Sequence, residues 1–333
     1  METPLVVVHT EGGPGIGLGH IGRCLAIREE LGDGVAFAVD GPGSAELLAA
    51  RGIAPVPPGT PAPVVLIDRR TPTAPEAVTR LQAEGRRVCL LDDPGPARAR
   101  ADLVIDPPTG CSWPPASGRR LAGFEHALLR AEIRAATSQP RSGVEVLLNM
   151  GGADPEGLTP ALARALRAAG LTVLTALGPA YRGPGPDGDV LGSASEWPAA
   201  LAGARLLVGR FGHTLLEAAH LGTPVLAIAT DGRTGADAHA FAAHGTIDAI
   251  EGGGPEDVQT VAERAGTLLA DDARLAAMAA RGRALVDGRG ATRVATALQE
   301  LAATTVRADA SAAREDGPTA ASAAEDMVWE PVR

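Results

Sequence analysis

The sequence predicts an α/β protein built from two successive doubly wound parallel sheets. Short apolar runs alternate with helical patterns in the first half, and the same plan restarts after a polar segment near the middle of the chain. In each half a glycine-rich loop follows the first apolar run. Strand–helix alternation of this kind is typical of parallel sheets with helices on both faces. The chain has 333 residues, enough for two such domains, which we expect to face each other across a cleft.

Residues 1–130 are predicted to form the first Rossmann-like domain. Its short apolar runs predict strands at residues 5–8, 35–39, 64–67, 88–91 and 103–105. Helical patterns lie between them at residues 21–31, 44–50 and 75–84. Periodicity is the main signal for both assignments.

The second half repeats this plan after a polar segment. Residues 131–143 contain Ser, Pro and Gly and are predicted to be a linker, and residues 144–303 to be the second domain. The predicted strands are residues 144–148, 171–177, 206–208 and 225–228. The predicted helices are one that ends near residue 169, followed by residues 214–221, 236–243, 255–269, 273–286 and 291–303. Residues 304–333 show no period, and we expect a disordered tail there.

The most informative segment is residues 15–25, which contains His20 between a predicted strand and a predicted helix. Glycines such as Gly17 and Gly19 let a ligand approach the backbone, and a helix N-terminus favours negative charge. A histidine there can accept a proton near neutral pH, so we predict His20 as a catalytic residue. Two alternatives stay open: a dinucleotide fingerprint G-x-G-x-x-G, with Asp40 ending the next strand, or a purely structural turn.

Aspartates that follow predicted strands are further candidates. Asp68 comes directly after one strand, and the pair Asp92–Asp93 follows the next. Because the carboxyl ends of parallel strands line the ligand crevice, we predict Asp68 and Asp93 as ligand-binding residues. The alternative is that each carboxylate caps a turn or a helix.

Two loops of the second half are candidate ligand-binding loops. The backbone around Gly212, His213 and Thr214 could bind a diphosphate, and Glu217 could bind ribose hydroxyls. Thr214 and Glu217 also have the spacing of a capping box, which would use the same carboxylate. The loop Gly151–Gly152 could approach a sugar or phosphate, or simply turn the chain.

Composition excludes several classes of function. The net charge is −10 and aromatic residues are 2% of the chain, which argues against nucleic acid and against an anionic membrane surface as partner. All 30 basic residues are arginine, so Schiff-base chemistry and a Walker lysine are excluded. Three cysteines without C-x-x-C spacing indicate reduced thiols, and no histidine has metal-ligand spacing. We expect a cytoplasmic protein without membrane insertion, metal or cofactor, and the oligomeric state stays open.

Several motifs resemble one enzyme family, the UDP-sugar hydrolases of pseudaminic acid biosynthesis with their spore-coat polysaccharide relatives. The resemblance covers roughly residues 5–303, and its most specific part is Gly-Leu-Gly-His-Ile-Gly-Arg-Cys-Leu-Ala at residues 17–26. Weaker matches are residues 91–93, 127–130, 150–155 and 212–224. The chain departs from the family pattern at His9, Glu11, residues 211–213 and residues 231–234.

The resemblance implies a GT-B fold in which the second domain holds UDP. It implies that His20 activates water against the anomeric carbon of a UDP-sugar without a metal. It also implies a site that includes Arg23, and it favours the ribose role of Glu217 over the capping role. The alternatives are an inverting UDP-sugar-dependent glycosyltransferase, in which His20 deprotonates an acceptor hydroxyl, and a non-catalytic nucleotide-sugar binding protein.

Overall fold

The structure is a computed structural model that describes residues 3–12, 19–40, 42–106, 113–136, 144–230, 232–252 and 254–315. Two parallel sheets, each packed between helices, make up this part of the chain.

The first sheet has six strands in the order β2-β1-β3-β4-β5-β6, all parallel. In chain order they are β1 (Val6–Glu11), β2 (Val35–Asp40), β3 (Val64–Asp68), β4 (Arg87–Leu91), β5 (Leu103–Asp106) and β6 (Arg119–Ala122). Val6, Val7 and Val8 are all fully buried, because helices cover both faces of the sheet. The apolar runs of the sequence therefore locate the first five strands.

The second sheet has five parallel strands in the order β11-β10-β9-β7-β8. They are β7 (Val146–Asn149), β8 (Val173–Thr175), β9 (Leu206–Arg210), β10 (Val225–Ala229) and β11 (Ile247–Glu251). The sequence analysis missed β6 and β11. The first is an edge strand that starts with two exposed arginines, and the second is exposed at its end, so neither forms a long apolar run.

Eleven helices surround the sheets in the described residues. They are α1 (Gly19–Leu31), α2 (Pro42–Ala49), α3 (Pro75–Ala83), α4 (Ala131–Ala135), α5 (Thr159–Ala168), α6 (Trp197–Gly203), α7 (Thr214–Leu221), α8 (Gly232–Ala243), α9 (Val258–Leu269), α10 (Asp272–Leu285) and α11 (Gly290–Glu315). Helix α7 has the predicted bounds. Helix α6 was not predicted, since its seven residues are too short to show a period.

Each sheet has a topological switch point beside its first strand. In the first sheet β1 lies between β2 and β3, and in the second β7 lies between β8 and β9. Ligands of open α/β sheets bind at the carboxyl ends of the strands that flank such a point. In this chain those ends lead to His20 and Asp68 in the first sheet, and to residues 210–213 in the second.

The two halves exchange segments, which corrects two predictions about the domain boundaries. The predicted linker begins with helix α4, and its residue Ile133 is fully buried in the core of the second sheet. Helix α11, assigned by sequence to the second half, packs Val294 and Leu298 into the core of the first sheet. The free energy gained by burying these apolar side chains decides where the two segments pack, although the residues around them in the sequence are polar.

The predicted start of the tail is also corrected. Helix α11 continues to Glu315, past the expected end at residue 303. Thr305, two residues past that expected end, is buried, so the start of the predicted tail still contacts the body of the protein. The prediction for residues 316–333 lies outside the described residues.

Candidate functional site

His20 lies in the first turn of α1, and its imidazole contacts the carboxylate at the end of β3. The distance from His20 Nδ1 to Asp68 Oδ1 is 2.7 Å. The side chain of Asp68 is fully buried, whereas 19% of the His20 side chain is exposed. Two sequence-predicted residues that are 48 positions apart therefore form one hydrogen-bonded pair.

Arg23, one turn further along α1, contacts the same carboxylate with two nitrogens. Its Nε donates to Asp68 Oδ2 at 2.7 Å, and its Nη2 donates to Oδ1 at 2.5 Å. Its Nη1 donates to Asp92 Oδ2 at 2.8 Å. A bidentate arginine–carboxylate contact fixes the plane of the carboxylate as well as its position. We refer to His20, Arg23, Asp68 and Asp92 as the His20 cluster.

Asp68 is ionised in this environment. Burial by itself raises the pKa of Asp68, but the charge of Arg23 and hydrogen bonds from Arg23 and His20 hold that pKa well below its usual range. Burial also raises the pKa of the Cys24 thiol, which stays neutral and donates to Asp68 Oδ2 at 3.3 Å. The predicted reduced thiols Cys24 and Cys89 are free and buried, and Cys111 lies outside the described residues.

The contacts of His20 Nδ1 decide its tautomer. This nitrogen also lies 3.1 Å from Arg23 Nη2, which can only donate. Because the ionised carboxylate oxygen of Asp68, at 2.7 Å, can only accept a hydrogen bond, Nδ1 is assigned the hydrogen. The lone pair of neutral His20 is then on Nε2, for which no described residue is a hydrogen-bond partner.

The second candidate loop, residues 211–213, joins β9 to α7. Among the described residues, none accepts a hydrogen bond from the backbone N–H groups of Gly212, His213 or Thr214. A Cβ atom added to Gly212 would meet no described atom within 4 Å. Three amides at a helix N-terminus that have no acceptor among the described residues are suited to an anion such as a diphosphate.

His213 connects this loop to the first half of the chain. Its Nε2 lies 2.9 Å from the carbonyl oxygen of Leu128 and donates to it. Burial lowers the pKa of His213, and the positive charge of Arg23 lowers that pKa further. The negative charge of Glu217 raises it, but by less than burial lowers it. His213 is therefore neutral at pH 7 and lies close enough to the His20 cluster to be affected by its charge.

Glu217 does not form the capping box that its spacing allows. The N-cap residue of α7 is His213, with no side-chain cap hydrogen bond, and Thr214 is already the first helical residue. The carboxylate instead accepts from Arg130 Nη2 at 3.2 Å and from Trp197 Nε1 at 2.9 Å. The capping interpretation is wrong, since the carboxylate lies among side chains from two other segments.

The other predicted site residues have structural contacts. Asp93 is buried and accepts from the backbone N–H groups of Thr73 and Gly95 at 2.8 and 2.7 Å, so it organises a turn. Gly151 has a φ of +83°, which only glycine adopts freely. Gly152 lies against Gly178, where an added Cβ would come within 2.4 Å of the Gly152 carbonyl oxygen.

The glycine loop itself falls partly outside the described residues. Gly17 belongs to residues 13–18, whose structure is not described. Gly19 begins α1, and a Cβ atom added there would meet no described atom within 4 Å.

Three residues of the site were missed or left unassigned by sequence reasoning. Asp92 binds Arg23 from a left-handed backbone conformation with φ of +57°, and only its place next to Asp93 pointed to it. Arg130 belongs to the family-like motif at residues 127–130, but nothing in the sequence connects it with Glu217, 87 positions away. Trp197 gave no signal.

The described residues contain neither a candidate metal site nor a candidate membrane-spanning helix. No three His, Cys, Asp or Glu side chains come together as a possible metal site within the described ranges. In the same part of the chain, no helix combines the length and apolarity that a membrane crossing needs.

Comparison with known proteins gives matches among solved structures. MurG from Acinetobacter baumannii matches with a TM-score of 0.59 and 16% identity, over 89% of this chain and 100% of that chain. The spinosyn forosaminyltransferase SpnP matches with a TM-score of 0.59 and 14% identity, over 90% of this chain and 99% of that chain. The UDP-GlcNAc 2-epimerase from Neisseria meningitidis, bound to UDP-GlcNAc, matches with a TM-score of 0.56 and 12% identity, over 89% of this chain and 100% of that chain.

The chain has the GT-B fold. The matches extend over both sheets, which confirms the predicted fold class. No family model matches the chain, and neither does any curated protein. In GT-B terms, the His20 cluster belongs to the first Rossmann-like half and the free amides of residues 212–214 belong to the second.

Proposed function

We propose that this protein is a nucleotide-sugar hydrolase that cleaves a UDP-sugar at the anomeric carbon, giving free sugar and UDP. The observation that carries the proposal is the His20–Asp68 pair, in which a buried, ionised carboxylate binds Nδ1 and leaves Nε2 as the proton acceptor. The proposal does not require a metal. The resemblance to the pseudaminic acid hydrolases supports the same assignment.

In the proposed step, Nε2 of His20 takes a proton from a water molecule. The water oxygen forms a bond to the anomeric carbon, and the bond from that carbon to the β-phosphate oxygen breaks. Its electron pair leaves with UDP, and the proton stays on His20 until solvent accepts it. Asp68 stabilises the imidazolium formed in this step, as the aspartate of a catalytic triad does.

The departing diphosphate gains negative charge as the glycosidic bond breaks. The free N–H groups of residues 212–214 are oriented before the reaction and would stabilise that charge without reorganising. They lie on the half opposite to His20, and His213 is affected by the charge of Arg23. A sugar bound between the two halves would thus have the base on one side and the leaving group on the other.

UDP is the proposed nucleotide on two grounds. One matching GT-B structure is an epimerase bound to UDP-GlcNAc, and another match, HepE from Anabaena, is a complex with UDP-glucose. A buried carboxylate, Glu217, lies one helical turn after the free amides, where it could accept hydrogen bonds from ribose hydroxyls.

A glycosyltransferase is the second candidate. The match to the forosaminyltransferase SpnP favours it, and a sugar acceptor hydroxyl could replace water at Nε2 of His20. The leaving group and the base would be the same in both reactions. The two differ only in what attacks the anomeric carbon.

The test is UDP release from a panel of UDP-sugars without an acceptor. The panel contains UDP-glucose, UDP-GlcNAc and UDP-2,4-diacetamido-2,4,6-trideoxy-β-L-altropyranose. We expect turnover of at least one sugar, and His20→Ala should lower kcat by about 10²- to 10⁴-fold, as for loss of a general base. UDP affinity should stay within about threefold, because a base acts on the transition state more than on ground-state binding.

Each other outcome contradicts the proposal in a different way. UDP release that requires an acceptor would identify a transferase. Tight UDP binding without any turnover would identify a non-catalytic binding protein. A His20→Ala variant that retains activity within about a factor of two would remove His20 from the mechanism.

A further inference from the structure

Glu217 has an unusual environment for a residue at a ligand-binding helix terminus. Only 6% of its side chain is exposed, and each of its two oxygens already accepts one hydrogen bond. A carboxylate oxygen has two lone pairs, so each oxygen can accept one more hydrogen bond. The two existing donors fix both the position and the plane of the carboxylate.

The donors come from two separate segments. Trp197 begins α6 in the second half, and its indole Nε1 donates to Oε2. Arg130 precedes α4, in the segment that leaves the first half, and its Nη2 donates to Oε1. The indole is neutral and rigid, whereas the guanidinium also supplies a positive charge beside a carboxylate in a mostly buried place.

The same connecting segment contacts the β9–α7 loop at a second point. The carbonyl oxygen of Leu128, two residues before Arg130, accepts from His213 Nε2 at 2.9 Å. Leu129 and Ile133 pack with Leu215 and Leu216 of α7 in one core. The segment from Leu128 to Ile133 thus holds both the loop with the free amides and the carboxylate of Glu217.

We propose that Arg130 and Trp197 are positioning residues for nucleotide binding, and that they orient Glu217 to accept both ribose hydroxyls. A cis-diol presents two O–H donors, and both bonds form only if the free lone pairs of the carboxylate face them. Fixing the carboxylate before binding lowers the conformational cost of forming that pair of bonds. The inference rests on the proposed UDP function and adds to it the origin of ribose selectivity.

The test compares binding of UDP with binding of 2′,3′-dideoxy-UDP by calorimetry. The wild-type protein should bind UDP more tightly by about tenfold or more, since charge-assisted hydrogen bonds to the hydroxyls are lost in the dideoxy nucleotide. Arg130→Met should lower this preference by about fivefold and leave the affinity for dideoxy-UDP within about twofold. A merely structural role would weaken both nucleotides together.

One further variant serves as a second test, and another serves as a control. Trp197→Phe keeps an aromatic side chain but has no N–H to donate to Glu217, so it should lower the preference in the same direction. This variant decides the question if Arg130→Met does not fold. Arg134→Met is the matched control, because Arg134 lies in the same segment and its Nη2 contacts Glu30 at 2.7 Å. This control should keep the wild-type preference.

The contradicting outcomes are distinct. An unchanged ribose preference in the Arg130 and Trp197 variants would overturn the positioning role. A wild-type protein that binds UDP and dideoxy-UDP equally would also overturn it, with UDP binding itself intact. A wild-type protein that binds neither would instead overturn the proposed function.

Discussion

Asp68 is the single residue on which the proposed chemistry depends most. It is fully buried and accepts from His20, from two nitrogens of Arg23 and from Cys24. The buried carboxylate of Asp68 is stable as an anion because the charge and hydrogen bonds of Arg23 compensate for the hydration that Asp68 loses on burial. The same arrangement places the lone pair of neutral His20 on Nε2, so the structural contact with Arg23 and the proposed catalytic contact with His20 share one carboxylate.

Asp68→Asn should lower kcat by about 10²- to 10⁴-fold, because the imidazolium formed in the transition state loses its counter-charge. UDP affinity should change by less than about threefold, since the Asp68 side chain is fully buried and both its oxygens contact His20, Arg23 or Cys24. Steady-state kinetics and calorimetry on the same preparation measure the two effects.

Asp93→Asn is the matched control for this prediction. Asp93 follows β4, and in the described contacts its carboxylate binds only the backbone N–H groups of Thr73 and Gly95. Its variant should retain kcat at temperatures well below its unfolding transition. Equal losses of kcat in the two variants would show that Asp68, like Asp93, has only a structural role.

Sequence reasoning found His20 and Asp68 but could not pair them. The glycine-rich strand–helix junction is a local signal, whereas the contact depends on β1 and β3 being neighbours in the sheet. For Asp93 and Asp92 the pattern was ambiguous, because either of two adjacent aspartates could turn toward the crevice. The left-handed backbone of Asp92 turns the side chain of Asp92 toward Arg23. No local residue pattern predicts that backbone conformation.

At the scale of elements, the strands and helices with strong periods were predictable, and the exchanged segments were not. Helix α7 was predicted with its observed bounds, and the first five strands of the first sheet were found to within a few residues. Helix α4 was assigned to a linker because residues 131–143 are polar and contain Ser, Pro and Gly. Its one buried residue, Ile133, is too little to give a period. Which sheet a helix packs against is decided by contacts distant in sequence, so α11 was assigned to the wrong half.

Leu298→Ala in α11 tests this exchange. Leu298 is fully buried in the core of the first sheet, so the variant should lose about 2–5 kcal/mol of stability. Hydrogen exchange should show the lost protection in α1, β3 and β4, against which α11 packs.

The control for this variant is Gln299→Ala, one position further along the same helix at an exposed site. It should change stability by no more than about 0.5 kcal/mol. Loss of protection in the second sheet, with the first sheet unchanged, would contradict the packing described for α11.

At the scale of the whole molecule, the exchange of segments connects the two halves of the proposed site. The segment around Arg130 leaves the first sheet and contacts the β9–α7 loop and Glu217 of the second half, and α11 returns to the first core. The proposed base therefore belongs to one half and the proposed diphosphate site to the other, while both depend on the same crossing segments. The matching structures with this fold include a forosaminyltransferase and a UDP-GlcNAc 2-epimerase, so the fold alone does not decide the chemistry.

The most direct test of the proposed function is the position of bond cleavage, measured by turnover in ¹⁸O-labelled water. The substrate is the UDP-sugar of the panel that the protein turns over fastest, and the released UDP is analysed by mass spectrometry. Attack of water on the anomeric carbon predicts free sugar and UDP in equal amounts, with no ¹⁸O in the UDP. Heavy oxygen in the β-phosphate of UDP, or UDP release without free sugar, would contradict the proposed role of His20 at the anomeric carbon.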